Sequence, residues 1–150
     1  MKITRIFNTY GPRIRADGTY ARAVPRFIVQ ALTNNNITIY GDGGQTRAFC
    51  YVSDTITGIL KTLSIKEKGE VYNLGSPEEL TILQLAETVK ELAGSSSQLF
   101  FKPRLPDDPT RRCADISKAE RMLKWKPTTE LRKGLEKTIN WFAKKLGEKV

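Results

Sequence analysis

The sequence predicts an α/β fold. Two observations carry that expectation. Short β-rich runs alternate with stretches of helical apolar spacing, and clusters of Gly, Pro and Asn separate them. The length, 150 residues, suffices to bury a core, and 39% hydrophobic content beside 27% charged is a globular composition.

Lys2 to Thr9 reads as a strand ending in the turn Tyr10-Gly11-Pro12. Arg13 to Tyr20 is a polar loop around Gly18. Pro25 suits a first helical turn, and Phe27, Ile28, Ala31 and Leu32 form an apolar stripe that stops at Asn34-Asn35-Asn36. Ile37 to Tyr40 is a strand, Gly41 to Gly44 a hairpin-like turn, and Arg47 to Val52 another strand. Ser53 or Asp54 is expected to cap a helix whose stripe is Ile56, Ile59, Leu60 and Leu63.

Val71 to Leu74 is a buried-looking strand closed by Gly75. Thr81 and Gln84 match a capping box, ahead of a helix bearing Ile82, Leu85, Val89 and Leu92 and stopped by Gly94. Gln98 to Lys102 is a strand, and Lys102 to Arg112 a polar loop with three prolines. Asp115 is expected to cap a helix with Ala119, Met122 and Leu123. Thr128 or Thr129 is expected to cap a last helix with Leu131, Leu135, Ile139 and Phe142. Trp125, Trp141 and Phe142 fit core packing.

The composition excludes several chemistries. With no His there is no Ser-His-Asp triad, no Cys-His dyad and no imidazole metal ligand. Cys50 and Cys113 form no C-x-x-C pair, so zinc and thioredoxin-like sites are not expected. No apolar run approaches a membrane span, and the N-terminus lacks the apolar core of a secretory leader. A reducing, cytoplasmic location with free thiols is therefore expected.

The net charge is +9. It suits an anionic ligand or a solvated surface. No helix-turn-helix, RNP or zinc-finger signature accompanies it, so nucleic acid is not expected as a partner. Lys137, Lys144, Lys145 and Lys149, beside Glu136 and Glu148, read as helix-surface charge.

Two features compete for a phosphate. Gly41-Asp42-Gly43-Gly44 fails the dinucleotide spacing, because position 46 is Thr and a strand follows where a helix is needed. Arg13, Arg22, Arg47, Arg111 and Arg112 lie in loops or at strand starts, where guanidinium groups can converge on one anion. For any one of them surface solubility is the favoured reading, and composition does not decide for the set. The adjacent carboxylates Asp107 and Asp108 point to different sides of an extended loop, so they read as solvated or paired with nearby Arg.

Five motifs resemble one family. They are Arg5 to Arg13 (RIFNTYGPR), Ile39 to Phe49 (IYGDGGQTRAF) with Tyr51-Val52-Ser53-Asp54, and Tyr72-Asn73-Leu74-Gly75. Asp107 to Arg112 (DDPTRR) and Asp115 to Ala119 (DISKA) complete the set. In this order they resemble the extended short-chain dehydrogenase/reductase family, and within it the UDP-glucuronate decarboxylases. The resemblance covers essentially the whole chain.

It implies a Rossmann domain that binds NAD and a smaller C-terminal region that binds a nucleotide sugar. In that family C4 of UDP-glucuronate is oxidised, the β-keto acid loses CO₂, and the 4-keto pentose is reduced to UDP-xylose. A Tyr-x-x-x-Lys pair supplies the base. Neither that pair nor the G-x-x-G-x-x-G loop occurs in these 150 residues. The resemblance therefore implies that residues 1–150 are a single C-terminal substrate-binding portion. Its N-terminal cofactor-binding half would be absent, and the sheet edge left open to rearrangement or dimerisation. A separately encoded Rossmann half is another implied partner. NAD belongs to the whole enzyme, and this portion alone is expected to bind none and to be inactive.

By the same resemblance, Asn8 contacts the sugar-phosphate and Thr9 approaches the cofactor. Arg22 lines the site, Tyr40 packs against uracil, and Arg47 and Arg112 clamp the diphosphate. Two departures stand out. Ala114 replaces a common Pro, and Lys124 replaces a Gly at an expected left-handed helix cap, costing about 1 kcal/mol.

Overall fold

The computed structural model describes residues 1–16 and 22–147. Gly18 and Tyr20 of the expected polar loop, and Glu148 and Lys149 near the C-terminus, lie outside the described residues. The elements run β1 (Ile3–Ile6), β2 (Thr9–Tyr10), α1 (Ala23–Leu32), β3 (Ile37–Tyr40), β4 (Thr46–Ala48), β5 (Cys50–Tyr51) and α2 (Val52–Ser64). They continue β6 (Val71–Leu74), β7 (Glu79–Thr81), α3 (Ile82–Leu92), β8 (Leu99–Lys102), β9 (Arg111–Arg112), α4 (Ser117–Leu123) and α5 (Leu131–Gly147).

The α/β expectation holds. β1 pairs with β6, β2 with β5 and β3 with β8, all in parallel. Parallel partners need long crossovers, which the helices supply. β4 is the exception. It lies between antiparallel β7 and parallel β9 in a three-stranded sheet.

Two apolar clusters form. Amphipathic α1, α3 and α5 pack with β3, burying Phe27, Ile28, Ile37, Ile39, Leu85, Val89, Leu135 and Ile139. The second cluster joins β6 to α4 through Tyr72, Leu74, Ile116, Leu123 and Trp125. The capping box of α3 is present in full: Thr81 Oγ1 accepts from Gln84 N at 3.0 Å, and Gln84 Oε1 accepts from Thr81 N at 2.8 Å. Lys124 occupies the left-handed C-cap of α4, at φ 49° and ψ 45°. Both cysteines are free.

Several local expectations are corrected. The 2–9 strand is two strands, and the 47–52 strand breaks at Phe49, with Val52 already helical. Gly41 to Gly44 is not a hairpin turn, because β3 and β4 pair with different strands. Neither Ser53 nor Asp54 caps α2; Tyr51 stands at that position without a side-chain bond. Asp54 is instead a buried hub, accepting from Thr128 Oγ1 at 3.1 Å and Thr129 N at 3.0 Å. That bond occupies the Thr128 hydroxyl, and α5 begins only at Leu131. Asp115 does accept a helix-end N–H, from Ser117 at 2.9 Å, but Ile116 intervenes before α4.

The largest correction concerns α2. Three of its four expected stripe residues face outward: Ile56, Leu60 and Leu63 are exposed, while Ile59 packs against the second cluster and Asp54, Thr55, Gly58 and Thr62 are buried. Close packing explains the choice. A Cβ at Gly58 would sit 2.8 Å from Leu74 and 3.0 Å from Trp125, so the small face is the one that fits against β6 and the α4 end. Ile3 and Ile6 of β1 are exposed as well, while Phe7 packs against the second cluster.

Asp54→Ala leaves the Thr128 hydroxyl and the Thr129 N–H without their shared acceptor. A loss of about 2 kcal/mol is expected, or about 4–8 °C in Tm. Thermal denaturation followed by circular dichroism checks it, and an unchanged Tm would remove Asp54 from the hub.

Candidate functional site

All six residues singled out in the sequence line one cavity of about 580 Å³: Asn8, Thr9, Arg22, Tyr40, Arg47 and Arg112. Its walls come from β1 and β2, the N-terminus of α1, the end of β3, β4 and β9. These segments are far apart in sequence, and the parallel pairings bring them together.

The arginine pair is set by register. In the parallel β4–β9 ladder Arg47 is the Cα partner of Arg112, and Thr46 that of Arg111. Side chains alternate across a strand. Arg47 and Arg112 both line the cavity. On the other face, Glu79 collects Arg111 (Nη2–Oε2 2.6 Å) and Thr46 (Oγ1–Oε1 2.8 Å). The Arg111 guanidinium holds the Glu79 carboxyl below its ordinary range. Two like charges side by side on neighbouring strands are unfavourable without an anion between or beside them.

Arg47 is buried and already paired. It donates to Thr46 O at 2.6 Å and forms an ion pair with Asp108 across the chain. Asp108 also accepts from Gln45 Nε2 at 3.3 Å, and Gln45 donates to Tyr40 O at 2.8 Å. Arg112 is exposed.

Tyr40 is half-buried, with the Arg26 guanidinium 5.0 Å from its ring centroid. Arg26 also lies over Phe27, at 5.4 Å, and donates from Nη2 to Thr38 O at 3.3 Å. Burial lowers its pKa. The Asn8 side-chain amide donates to Ala48 O at 3.1 Å. Arg22 is exposed, at the N-cap of α1. The Thr9 hydroxyl shares a 3.0 Å bond with Thr55 and donates to Phe7 O at 3.2 Å, so it is held among protein groups.

Sequence reasoning missed Arg5, Arg26 and Gln45 as cavity residues. It anticipated an arginine partner for an Asp of the 107–108 pair, but not Arg47, 61 residues away. No local signal marks a partner at that separation.

The donor set suits an anion. Among the described residues five arginines line the cavity, Arg5, Arg22, Arg26, Arg47 and Arg112, against one carboxylate, Asp108. It does not suit a dinucleotide cradle. The glycine-rich turn 41–44 leads into strand β4 where a helix N-terminus is needed. Among the described residues no group of His, Cys, Asp or Glu could hold a metal ion, and no helix is long and apolar enough to cross a membrane.

Arg112→Glu turns the like-charge neighbours into an opposite-charge pair, so a gain of about 0.5 kcal/mol is expected in low-salt thermal denaturation. Arg111→Ala removes the Glu79 contact and should lower Tm. The reverse order would place the two arginines on the wrong faces.

Comparison with known proteins fits this geometry. Residues 1–138 match the family model described as GDP-mannose 4,6 dehydratase. UDP-glucuronic acid decarboxylase 1 of Xenopus tropicalis is 44% identical over 97% of this chain and 34% of its own length. UDP-glucuronic acid decarboxylase 3 of Arabidopsis thaliana is 46% identical over 90% of this chain and 39% of its own. The chain thus spans about a third of the relatives it matches.

Among solved structures, UDP-glucose 4-epimerase of Thermotoga maritima, with UDP-glucose, superposes with a TM-score of 0.91 at 32% identity, over 97% of this chain and 46% of that one. UDP-glucuronic acid 4-epimerase of Bacillus cereus, in complex with UDP-glucuronic acid and NAD, gives 0.86 at 39% identity, over 96% and 45%. The motif order, the α/β topology and these matches agree: the chain belongs to the GDP-mannose 4,6 dehydratase family of extended short-chain dehydrogenase/reductases.

Proposed function

We propose that the cavity binds the nucleotide-diphosphate part of a UDP-sugar, and that residues 1–150 are the C-terminal substrate-binding portion of a UDP-glucuronate decarboxylase-like enzyme. The observation that carries this reading is the register pairing of Arg47 with Arg112 on one cavity wall. Guanidinium groups carried by two register partners match a diphosphate, whose charge and acceptor oxygens both can share. Tyr40 offers a ring for uracil. In this reading Asn8 contacts the sugar-phosphate and Arg22 lines the site.

In the whole enzyme the reaction converts UDP-glucuronate to UDP-xylose and CO₂, with NAD as the redox cofactor and Thr9 beside it. These 150 residues contain neither G-x-x-G-x-x-G nor Tyr-x-x-x-Lys, so no step through NAD follows from them. Their part is to bind and orient. The chain alone is inactive and binds no NAD in this reading. A second reading, a portion of an NAD-dependent sugar epimerase or dehydratase, is supported by the epimerase superpositions. In the full-length protein, CO₂ release from UDP-glucuronate separates the two. A third reading, a UDP-sugar-binding partner module without chemistry, leaves binding intact with no turnover in any longer form.

Calorimetric titration of the chain with UDP is expected to show millimolar or tighter binding, weakened at least tenfold in Arg47→Ala and Arg112→Ala. UDP, NAD-independent in this test, isolates the diphosphate site. Binding unaffected by either substitution would refute the clamp. UDP-xylose formed at a substantial rate by the chain with NAD and UDP-glucuronate would refute its inactivity.

Exposed Ile3 and Ile6 on β1 and Ile56, Leu60 and Leu63 on α2 support self-association, or docking of a separate Rossmann half, as part of the same proposal. Sedimentation velocity is expected to show a concentration-dependent dimer. A 16.9 kDa monomer throughout would count against it.

A further inference from the structure

We propose that Asp108 is a displaceable counter-ion that holds Arg47 in the free protein, and that a diphosphate ligand takes its place and frees the 103–110 segment. The proposal rests on the reading of the cavity as a nucleotide-diphosphate site.

Arg47 cannot be left bare. It is buried, and a buried guanidinium without an anion is strongly disfavoured. Among the described residues Asp108 is the only acidic one lining the cavity, and it sits on this one arginine. The pair is lopsided in exposure: 9% for the Arg47 side chain and 26% for Asp108. The arginine is the fixed inner partner and the carboxylate the outer, movable one.

The chain around Asp108 is built to let go. Residues 103–110 carry Pro103, Pro106 and Pro109 and lie between β8 and β9, with no helix or strand of their own. Proline removes backbone donors that would tie the segment to the sheet. The other bonds of Asp108 are local or long: its N–H to Leu105 O at 3.2 Å, its carbonyl to Arg104 Nη2 at 2.9 Å, and Oδ2 to Gln45 Nε2 at 3.3 Å. Leu105 lines the cavity beside it, so the segment lies over the site.

The exchange also selects its ligand. One carboxylate meets one arginine. A diphosphate reaches both Arg47 and Arg112, which stand in register, and so outcompetes Asp108 with charge and with number of contacts. A terminal phosphate carries less of either. Asp108 thereby sets a threshold that favours diphosphate ligands.

Two measurements decide it. The parent chain and Asp108→Asn are titrated with UDP and with inorganic pyrophosphate. Amide hydrogen exchange of residues 104–110 is then followed in the parent, with and without saturating UDP. The proposal expects Asp108→Asn to bind UDP at least fivefold more tightly, and exchange in the parent segment to rise on binding. Weaker binding by Asp108→Asn would overturn it, because Asp108 would then be holding Arg47 in its working position. Tighter binding with a fall or no change in exchange would also overturn it, since Asp108 would be acting through space without leaving. If neither protein binds UDP but Asp108→Asn gains pyrophosphate, the nucleotide reading fails and the counter-ion role stands. If the variant binds neither, both fail.

Discussion

The placing of Arg47 directly across from Arg112 is the constraint from which the site follows. β4 is the middle strand of its sheet, so its register fixes what faces the cavity and what faces away. Thr46 and Arg111 meet Glu79 on one side; Arg47 and Arg112 are left on the other. A slip of one residue would exchange the two sets and bring the tethered arginine into the cavity. Like charges in adjacent positions work against the ladder, and the structure offsets them with the Asp108 carboxylate.

The rest of the fold holds that ladder in place. β7, which flanks β4, runs directly into α3, whose capping box fixes the start of the helix. α3 in turn packs in the larger core with α1 and α5. The smaller core and the Asp54 hub fasten α2 to the loop before α5. α2 approaches β6 closely through Gly58, and Ile56, Leu60 and Leu63 are left outside.

Features governed by neighbouring residues were legible in the sequence. The Thr81–Gln84 box, the left-handed Lys124 cap, the stop at Gly94 and the stripes of α1 and α3 all depend on spacings of a few residues. The six cavity residues were legible only through the ordered motifs of a family. Strands β7 and β9, of three and two residues, are too short for any periodicity to mark them. The α2 orientation was misread because an apolar stripe predicts burial only when a partner can cover it. There, the fit of Gly58 against Leu74 and Trp125 decided the packing. The Arg47–Asp108 pair spans 61 residues, and only the folded chain brings those charges together.

The central claim is that one ligand engages both register partners at once. Two-dimensional NMR of the arginine Nε–Hε signals during titration of the chain with UDP tests it most directly. The account predicts that the Arg47 and Arg112 signals move together, with one shared dissociation constant. Movement of one without the other, or of neither while UDP binds elsewhere, would contradict it.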